Sequence, residues 1–248
     1  MNGPKQLHAD APQMILAGLQ KQSLIDFPDR ISCVVFVSGC NFACPYCHNP
    51  ELARGRFPER ITLDQLTAFL APRRSLLDGV VISGGEPTLS PGLEHLCRAI
   101  REQGLAVKLD TNGSRPEVLG RMIREGLVDY LAMDLKTAMA RYGPPLIPPD
   151  AAAALRRSLG RSIRLIMTCG LDYEFRTTCL RPFVDEALIT EMARSIEGAR
   201  RYILQPFRDV SLLNPAFFAN RFPGFTPPEM ERLRAAASPF VAHCRIRS

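Results

Sequence analysis

The sequence predicts an α/β protein built on a parallel β-sheet, and three observations support this fold class. Short apolar runs of strand length alternate along the chain with stretches whose apolar residues recur at helical spacing. Glycines close several of the helical stretches. The 248 residues suffice for one large domain with a buried core, and the charged fraction of 23% is ordinary for a globular protein.

Six strands are expected, each followed by a loop or a helix. They cover residues 31–37, 79–82, 105–109, 130–135, 173–178 and 202–205. Helices are expected over residues 61–70, 93–101, 117–125, 151–168, 188–196 and 228–237, with Thr62 as the N-cap of the first. Strands that alternate with helices form βαβ units, and such units give a parallel sheet.

The domain organisation follows from the same pattern. We expect residues 1–248 to form a single domain, with a core over about 16–208. Residues 209–248 are an extension whose role the sequence does not define. No internal repeat or low-complexity tract interrupts the chain.

The loop after the first predicted strand carries the strongest chemical signal. Cys40, Cys44 and Cys47 are spaced C-x₃-C-x₂-C. Iron–sulfur clusters normally take four thiolates, so three thiolates can hold a four-iron cluster and leave one iron open. An open metal position is where a substrate or cofactor binds. The motif therefore predicts an enzyme that binds a small chelating molecule on iron.

Three other interpretations of this loop stay open at this point. Residues 44–48 also read C-x-x-C-H, the attachment signature of c-type haem, but residues 1–20 show no secretory signal. Zinc would need His48 as its fourth ligand, and adjacent Cys47 and His48 are poorly placed to share one tetrahedral ion. A redox dithiol, like haem, would leave Cys40 without a role.

Composition narrows the functional class. The remaining five cysteines are scattered singly and predict no disulfide framework, so a reducing cytoplasm is the expected location. The formal charge of +6 is spread thinly, with no basic stripe interleaved with aromatics, so we expect no nucleic-acid partner. No apolar run approaches the length of a membrane span.

The cysteine loop follows the first predicted strand, and polar groups lie at the carboxyl ends of the other five. They are Gly84-Gly85-Glu86, Asp110-Thr111-Asn112, Asp134 with Lys136, Thr177, and Gln205. In parallel α/β folds, ligands bind beyond the carboxyl ends of the strands, where the loops gather. The cysteine loop lies at the same edge, so we expect one site there.

The motifs in this order resemble the radical S-adenosylmethionine (SAM) superfamily, specifically its glycyl-radical-enzyme activases. The nearest subgroup is the activating proteins of anaerobic ribonucleoside-triphosphate reductase. The resemblance is carried by residues 18–26, 39–52, 83–87, 110–113, 132–136, 173–178 and 204–208. It implies a laterally open, partial (β/α)6 TIM-like barrel of the radical SAM type. It also implies one 4Fe-4S cluster on Cys40, Cys44 and Cys47, because no further cysteine lies between Cys47 and Gly84.

The resemblance also assigns roles to residues around the cluster. For SAM it implies Gly84, Gly85 and Glu86 at the amino group, Lys136 at the carboxylate, Asp134 and Asn112 at the ribose, Tyr46 near the adenine, and Gln205 as a late contact. For a monovalent cation it implies Asp110, Thr111 and Met133. For the incoming peptide it implies His48 and Asn49. No side chain is expected to act as a general acid or base, since the cluster and SAM carry the chemistry.

The implied activity is reductive cleavage of SAM to a 5′-deoxyadenosyl radical that abstracts a Gly Cα hydrogen from a partner glycyl radical enzyme. The expected partner is anaerobic ribonucleoside-triphosphate reductase, with a flavodoxin or ferredoxin as electron donor. The alternatives are activation of pyruvate formate-lyase or another glycyl radical enzyme, a radical SAM enzyme with another substrate, and a non-catalytic metal-stabilised binding module.

Overall fold

The computed structural model describes residues 16–56, 60–208, 212–218 and 222–247. Eight strands form one sheet whose spatial order is the order of the chain. They are β1 (Leu16–Ser23), β2 (Ser32–Val37), β3 (Gly79–Gly84), β4 (Ala106–Thr111), β5 (Tyr130–Asp134), β6 (Asp172–Cys179), β7 (Arg201–Pro206) and β8 (His243–Ile246). Strand β1 runs antiparallel to β2, and every later pairing is parallel.

The predicted α/β architecture with a parallel, open sheet is confirmed. The six predicted strands are β2 to β7, and within the described residues no pairing joins β8 to β1. The two edge strands were not predicted. Strand β8 has only four residues, and β1 contains Gly18 and a polar run at residues 20–23, so neither shows a strong strand pattern.

Seven α-helices are present in the described part of the chain. They are α1 (Pro50–Ala53), α2 (Leu63–Leu70), α3 (Leu93–Glu102), α4 (Pro116–Arg124), α5 (Ala152–Thr168), α6 (Glu186–Ser195) and α7 (Pro227–Ala237). All but the short α1 match predicted helices within two residues. The Thr62 hydroxyl accepts from the Gln65 N–H, while the Gln65 side chain accepts from the Thr62 N–H, which gives the predicted N-cap a capping box.

The two faces of the sheet differ in chemistry. On β4, Val107 and Leu109 point outward into the hydrophobic core, which lies between the sheet and the helices. The alternating residues Lys108 and Asp110 point to the interior of the partial barrel. A small apolar cluster with Phe27 fills part of that interior. Because this apolar cluster is small, polar side chains such as Lys108 and Asp110 occupy other parts of the barrel interior.

The chain beyond residue 208 contributes to the same sheet and helical layer. Helix α7 packs against α6, and β8 pairs with β7. The division into a core and an extension within a single domain stays a prediction. None of the described helices combines the length and the apolar character needed to cross a membrane.

Candidate functional site

Most of the predicted site residues line a single cavity at the carboxyl ends of the parallel strands. Its volume is about 340 Å³. The predicted residues in its wall are Cys40, Cys44, Tyr46, Cys47, His48, Asn49, Gly84, Gly85, Asp110, Thr111, Asn112, Asp134, Lys136 and Gln205. Glu86 and Met133 lie behind this wall. Residues spread over most of the chain thus meet where the strand order predicted that they would.

The cysteine loop is held by backbone hydrogen bonds to three segments, two of which are distant in sequence. Gly39 donates to the Leu52 carbonyl at 2.9 Å, and Ala43 donates to the Leu146 carbonyl at 2.8 Å. The Asn214 N–H donates to the Pro45 carbonyl at 3.0 Å. These bonds fix the path of the loop, so its three thiols are presented to the cavity by the fold.

All eight cysteines lie in the described part of the chain, and each is a free thiol. Cys44 is buried, whereas Cys40 and Cys47 are half-buried. Burial raises the pKa of the Cys44 thiol to about 12, and the Lys136 ammonium acts in the opposite direction. A metal would therefore have to displace the Cys44 proton, which is the ordinary situation for a thiolate ligand.

The described residues contain no group of three His, Cys, Asp or Glu side chains that could hold one metal ion. A four-iron cluster takes each thiolate on a different iron atom, so its ligands are more widely spaced than those of zinc. His48 packs against the Phe207 ring at 5.7 Å between centroids, and burial lowers the pKa of its imidazole. The donor set on this loop fits a cluster with three thiolate ligands.

Gly84 and Gly85 bring β3 against the start of the cysteine loop. Gly84 has φ +112°, and a Cβ there would lie 2.4 Å from the Val37 carbonyl oxygen. A Cβ on Gly85 would lie 2.0 Å from the Gly39 carbonyl oxygen. The Gly85 N–H donates to Val37 O at 2.9 Å. Two adjacent glycines are therefore needed for this backbone contact, which positions the loop over the cavity.

Glu86 is 1% exposed, and its carboxylate faces the protein rather than the cavity. It accepts from the Thr111 hydroxyl at 2.7 Å, from the Asn112 N–H at 2.6 Å, and from both the N–H and the hydroxyl of Thr88. Burial raises the pKa of this carboxyl group, and these four donors act against the increase. Glu86 thus joins β3 to the end of β4, and its contact with SAM stays a prediction.

Asn112 connects the end of β4 to the cysteine loop. Its amide donates to the Asn41 side-chain oxygen at 2.9 Å, and the Asn41 amide donates to the Ser114 hydroxyl at 3.0 Å. The Ser114 N–H donates back to the Asn112 side chain at 2.9 Å. This closed set of bonds fixes the orientation of Asn112 in the cavity wall, and Asn41 enters the site without having been predicted.

A network of buried and half-buried charges forms the floor of the cavity. Arg176 Nε donates to Asp134 at 2.8 Å, and its Nη1 donates to Asp110 at 3.2 Å. Lys136 Nζ donates to the second oxygen of Asp134 at 3.0 Å. Lys108, which is fully buried, donates to Asp110 at 2.5 Å. Every carboxylate and cation in this layer has a partner, as buried charges require.

The predicted monovalent cation near Asp110, Thr111 and Met133 stays a prediction. The Asp110 carboxylate already contacts two cationic side chains and accepts from Ser83 at 3.0 Å. The Thr111 hydroxyl donates to Glu86, and the Met133 side chain lies on the outer side of the sheet against Gly113.

The charged floor predicts a specific loss of stability in acid. Burial alone would raise the pKa of Asp110 and of Asp134, but the nearby cations hold both below the ordinary value. A depressed folded-state pKa stabilises the fold above the unfolded-state pKa, and the stabilisation is lost as the pH falls through the folded-state value. We expect the free energy of unfolding to begin falling below about pH 4.

Chemical denaturation across this pH range tests the expectation. Asp134→Asn should flatten the acid dependence, because the variant side chain does not ionise. Asp150→Asn, at an exposed position, is the matched control and should keep the wild-type slope. Equal slopes in Asp134→Asn and wild type would contradict the expected role of Asp134.

Tyr46 has the one orphaned side-chain atom among the buried polar groups of the described residues. Its hydroxyl has no hydrogen-bond partner, although the residue is only 4% exposed. The ring packs on Phe183 at 5.0 Å between centroids, and Phe183 in turn stacks on Phe217 at 5.7 Å. Tyr46 also lines the cavity. A buried hydroxyl without a partner is costly, so this position is suited to a ligand that supplies an acceptor or a donor.

The structure adds wall residues that sequence reasoning missed. They are Asp26, Phe36, Phe42, Ala53, Ser83, Arg176 and Thr178. Thr177, which was expected at the site, faces outward: its hydroxyl bonds to Leu135 O at 2.9 Å and to the Tyr202 hydroxyl at 2.8 Å. Alternation along β6 could have found Arg176 and Thr178, since residues two apart share one face.

Comparison with known proteins places this site in a family. The pattern of the radical SAM superfamily matches residues 34–165. A candidate glycyl-radical enzyme activating enzyme from Methanocaldococcus jannaschii is 31% identical over 239 residues, which cover 94% of this chain and 96% of that protein. The pyruvate formate-lyase-activating enzyme of Staphylococcus aureus is 38% identical over 85 residues, about a third of each chain (32% and 34%).

Solved structures agree on the fold. A radical SAM methyltransferase from Sphaerobacter thermophilus superposes with a TM-score of 0.58 at 19% identity, covering 89% of this chain and 67% of that one. SuiB from Streptococcus suis, solved with S-adenosylmethionine, superposes with a TM-score of 0.61 at 15% identity. The superposition covers 85% of this chain and 48% of the SuiB chain. The partial barrel described above is therefore of the radical SAM type.

The chain belongs to the radical SAM superfamily. Within it, the full-length similarity makes it an enzyme of the glycyl-radical-enzyme activating group. The family implies a 4Fe-4S cluster and SAM as cofactors. Three free thiols, a glycine contact that excludes any Cβ, a protonated Lys136 and the orphaned hydroxyl of Tyr46 line one cavity, and this set of groups fits both cofactors.

Proposed function

We propose that the protein activates a glycyl radical enzyme, with anaerobic ribonucleoside-triphosphate reductase as its partner. The observation that carries the proposal is the convergence of the cysteine loop, the Gly84-Gly85 contact and the charged pair Asp134–Lys136 on one cavity. The reductase is favoured by the resemblance to its activating proteins, which is carried by residues 18–26, 39–52, 83–87, 110–113, 132–136, 173–178 and 204–208. Pyruvate formate-lyase is the second candidate, because an activating enzyme for it matches over 85 residues.

When bound, the cluster and SAM supply a 5′-deoxyadenosyl radical that can take a hydrogen atom from a glycine Cα. The chain's own task is to bind and orient the cofactors and to keep water out. Cys40, Cys44 and Cys47 would hold the cluster. The Gly84 and Gly85 backbone, with Glu86 behind it, would meet the amino group of SAM.

Lys136 is suited to the SAM carboxylate. Although burial would lower the pKa of its ammonium group, the adjacent Asp134 carboxylate raises it above the ordinary value, so the side chain stays charged. Asp134 and Asn112 would take the ribose hydroxyls, and Gln205, which lines the same cavity, would make a further contact. Lys136 is itself held by Asp134 at 3.0 Å, so its charge is already oriented before SAM enters.

The remaining proposed contacts concern the partner and the redox chain. His48 and Asn49, beside the cluster loop in the cavity wall, would touch the incoming peptide. A monovalent cation at Asp110, Thr111 and Met133 and a flavodoxin or ferredoxin as electron donor complete the proposal. All of these steps are expected to take place in the cytoplasm.

Tyr46→Phe is expected to have opposite effects on the stability of the SAM-free protein and on its affinity for SAM. Removing the orphaned hydroxyl should leave SAM-free protein as stable as wild type or more stable, by about 1 kcal/mol. If Tyr46 bonds to the SAM adenine, the same change should weaken SAM binding about fivefold to tenfold. Thermal unfolding without SAM and equilibrium binding of SAM to reconstituted enzyme measure the two effects. Unchanged SAM affinity would show that the hydroxyl has another use.

The decisive experiment for the function is anaerobic. The cluster is reconstituted and reduced with dithionite, SAM is added, and 5′-deoxyadenosine is quantified. Purified anaerobic ribonucleotide reductase and pyruvate formate-lyase are then each incubated with the enzyme, and the glycyl radical is measured by EPR. A radical on the reductase supports the proposed partner, and a radical only on the lyase replaces it. Absence of SAM cleavage would reject the radical SAM activity altogether.

A further inference from the structure

A second cavity of about 590 Å³ opens at the amino ends of β7 and β8. It lies in the same barrel interior as the cavity lined by the cysteine loop, called the cofactor cavity below. Glu174, in its wall, lies 4.0 Å (Oε1 to Nη1) from Arg176, which lines the cofactor cavity. A single layer of side chains therefore separates the two cavities, and the proposed chemistry uses no residue of the second one.

Three arginines and one histidine line the wall formed by β7, β8 and the residue after β8. They are Arg201, His243, Arg245 and Arg247. Arg247 Nη2 contacts both oxygens of the buried Glu174 carboxylate, at 3.0 and 3.2 Å, so its charge is neutralised within the protein. Arg201 donates to the Tyr130 hydroxyl at 3.2 Å. This hydroxyl is neutral, so the contact does not neutralise the charge of Arg201.

His243 and Arg245 are available to a ligand. Both side chains are exposed, and neither makes a hydrogen bond, ion pair or ring contact with another residue that the structure describes. The acidic groups in the wall are Glu174, which is already bound, and Asp29, which together with Asp172 acts on Arg201. Arg245 thus presents a positive charge on β8 with no acidic partner among the described residues, which favours a ligand with negative charge.

The shape of this wall suits an extended chain. Strand β8 is the edge of the sheet and pairs only with β7 in the described structure. An exposed strand edge offers a row of unpaired N–H and C=O groups to an incoming strand. Residues 243, 245 and 247 alternate toward the cavity, so a peptide along this edge would meet the unpaired side chains of His243 and Arg245 two residues apart.

We infer that the edge of β8 and this cavity dock an extended, acidic segment of the partner protein. The inference rests on the proposed function, in which a protein chain must bring a glycine to the cofactor cavity. A segment held along β8 runs toward Gln205 at the carboxyl end of β7, which lines that cavity. The edge strand therefore acts as a guide that delivers the glycine with its acidic neighbours held by Arg201, His243 and Arg245.

Two synthetic peptides test the inference on cluster-reconstituted enzyme with SAM, under anaerobic conditions. They share one glycine-centred core, and they differ only in flanks of Asp and Glu or of Lys and Arg. Fluorescence anisotropy gives both affinities at low and high salt. We expect the acidic peptide to bind at least about tenfold more tightly at low salt, with a smaller difference at high salt.

Arg245→Glu should abolish this preference. Arg157→Glu, at an exposed position of α5, makes the same change in net charge and should keep it. Arg245→Gln serves as a milder variant should the charge reversal fail to fold, and it should reduce the preference. Equal or undetectable binding of the two peptides by wild type, or full preference in both Arg245 variants, would overturn the inference.

The inference and the proposed function fail separately. If wild type cleaves SAM and forms a radical on a cognate enzyme but shows no peptide preference, the docking surface is wrong and the activity stands. If no SAM cleavage occurs, the activity is wrong whatever the peptides do.

Discussion

Replacement of Cys44 by alanine is expected to remove both the cluster and SAM cleavage. Cys44 is the middle thiol of the loop, and it lies buried in the cavity wall. Without it, two thiols remain for a cluster that needs three from the protein, and the cofactor performs all of the difficult chemistry. Iron and sulfide content after reconstitution should fall to background, and 5′-deoxyadenosine should fall to the level of a control without enzyme.

Cys169→Ala is the matched control for this experiment. Cys169 is a half-buried free thiol, as Cys40 and Cys47 are. Among the described residues its hydrogen-bond partner is the Ile166 carbonyl, and it lies outside the cavity. The control should keep wild-type iron content and activity. A Cys44→Ala protein that still binds iron and cleaves SAM would contradict the ligand assignment.

Gly85→Ala is expected to have the second-largest effect. The new Cβ would lie 2.0 Å from the carbonyl oxygen of Gly39 and 2.6 Å from its carbon, and both are backbone atoms. Relief of this contact must move the start of the cysteine loop away from β3. We expect the free energy of unfolding to fall by about 3 kcal/mol and the SAM affinity of the reconstituted enzyme to fall with it.

Urea denaturation of the iron-free protein isolates the effect on the fold. Gly143→Ala is the control, because a Cβ there meets no atom within 4 Å and its backbone is not left-handed. Its stability should stay within about 0.5 kcal/mol of wild type. A Gly85→Ala protein as stable as the control, with intact SAM binding, would mean that the loop accommodates the methyl group and that the close contact is dispensable.

The sequence predicted most of the architecture because its local signals agree with one another. Buried strands such as residues 79–82 are continuous apolar runs, and helices such as α2 begin at a recognisable cap. The edge strands β1 and β8 were not predicted, because a strand at the edge of a sheet needs few apolar residues. In β8 the exposed residues His243 and Arg245 alternate with half-buried ones. Such a weakly apolar pattern is also typical of irregular surface segments.

The candidate site was predictable in position and less so in detail. Most residues of the cavity wall were predicted from the spacing of the cysteines and from the rule that ligands bind at the carboxyl ends of parallel strands. The direction of an individual side chain depends on register, and a shift of one residue exchanges the faces, as Thr177 and Thr178 show. The role of Glu86 depends on donors from Thr88, Thr111 and Asn112, contacts that no local pattern reveals.

The three backbone bonds that hold the cysteine loop have a consequence for how the protein matures. The thiols at residues 40–47 emerge from the ribosome well before Leu146 and Asn214, whose main-chain groups fix the loop. Because synthesis adds residues more slowly than local structure forms, the loop spends that interval without two of its three anchors. We therefore expect the loop to reach its final path, and to be ready to take up metal, only after Asn214 has been synthesised.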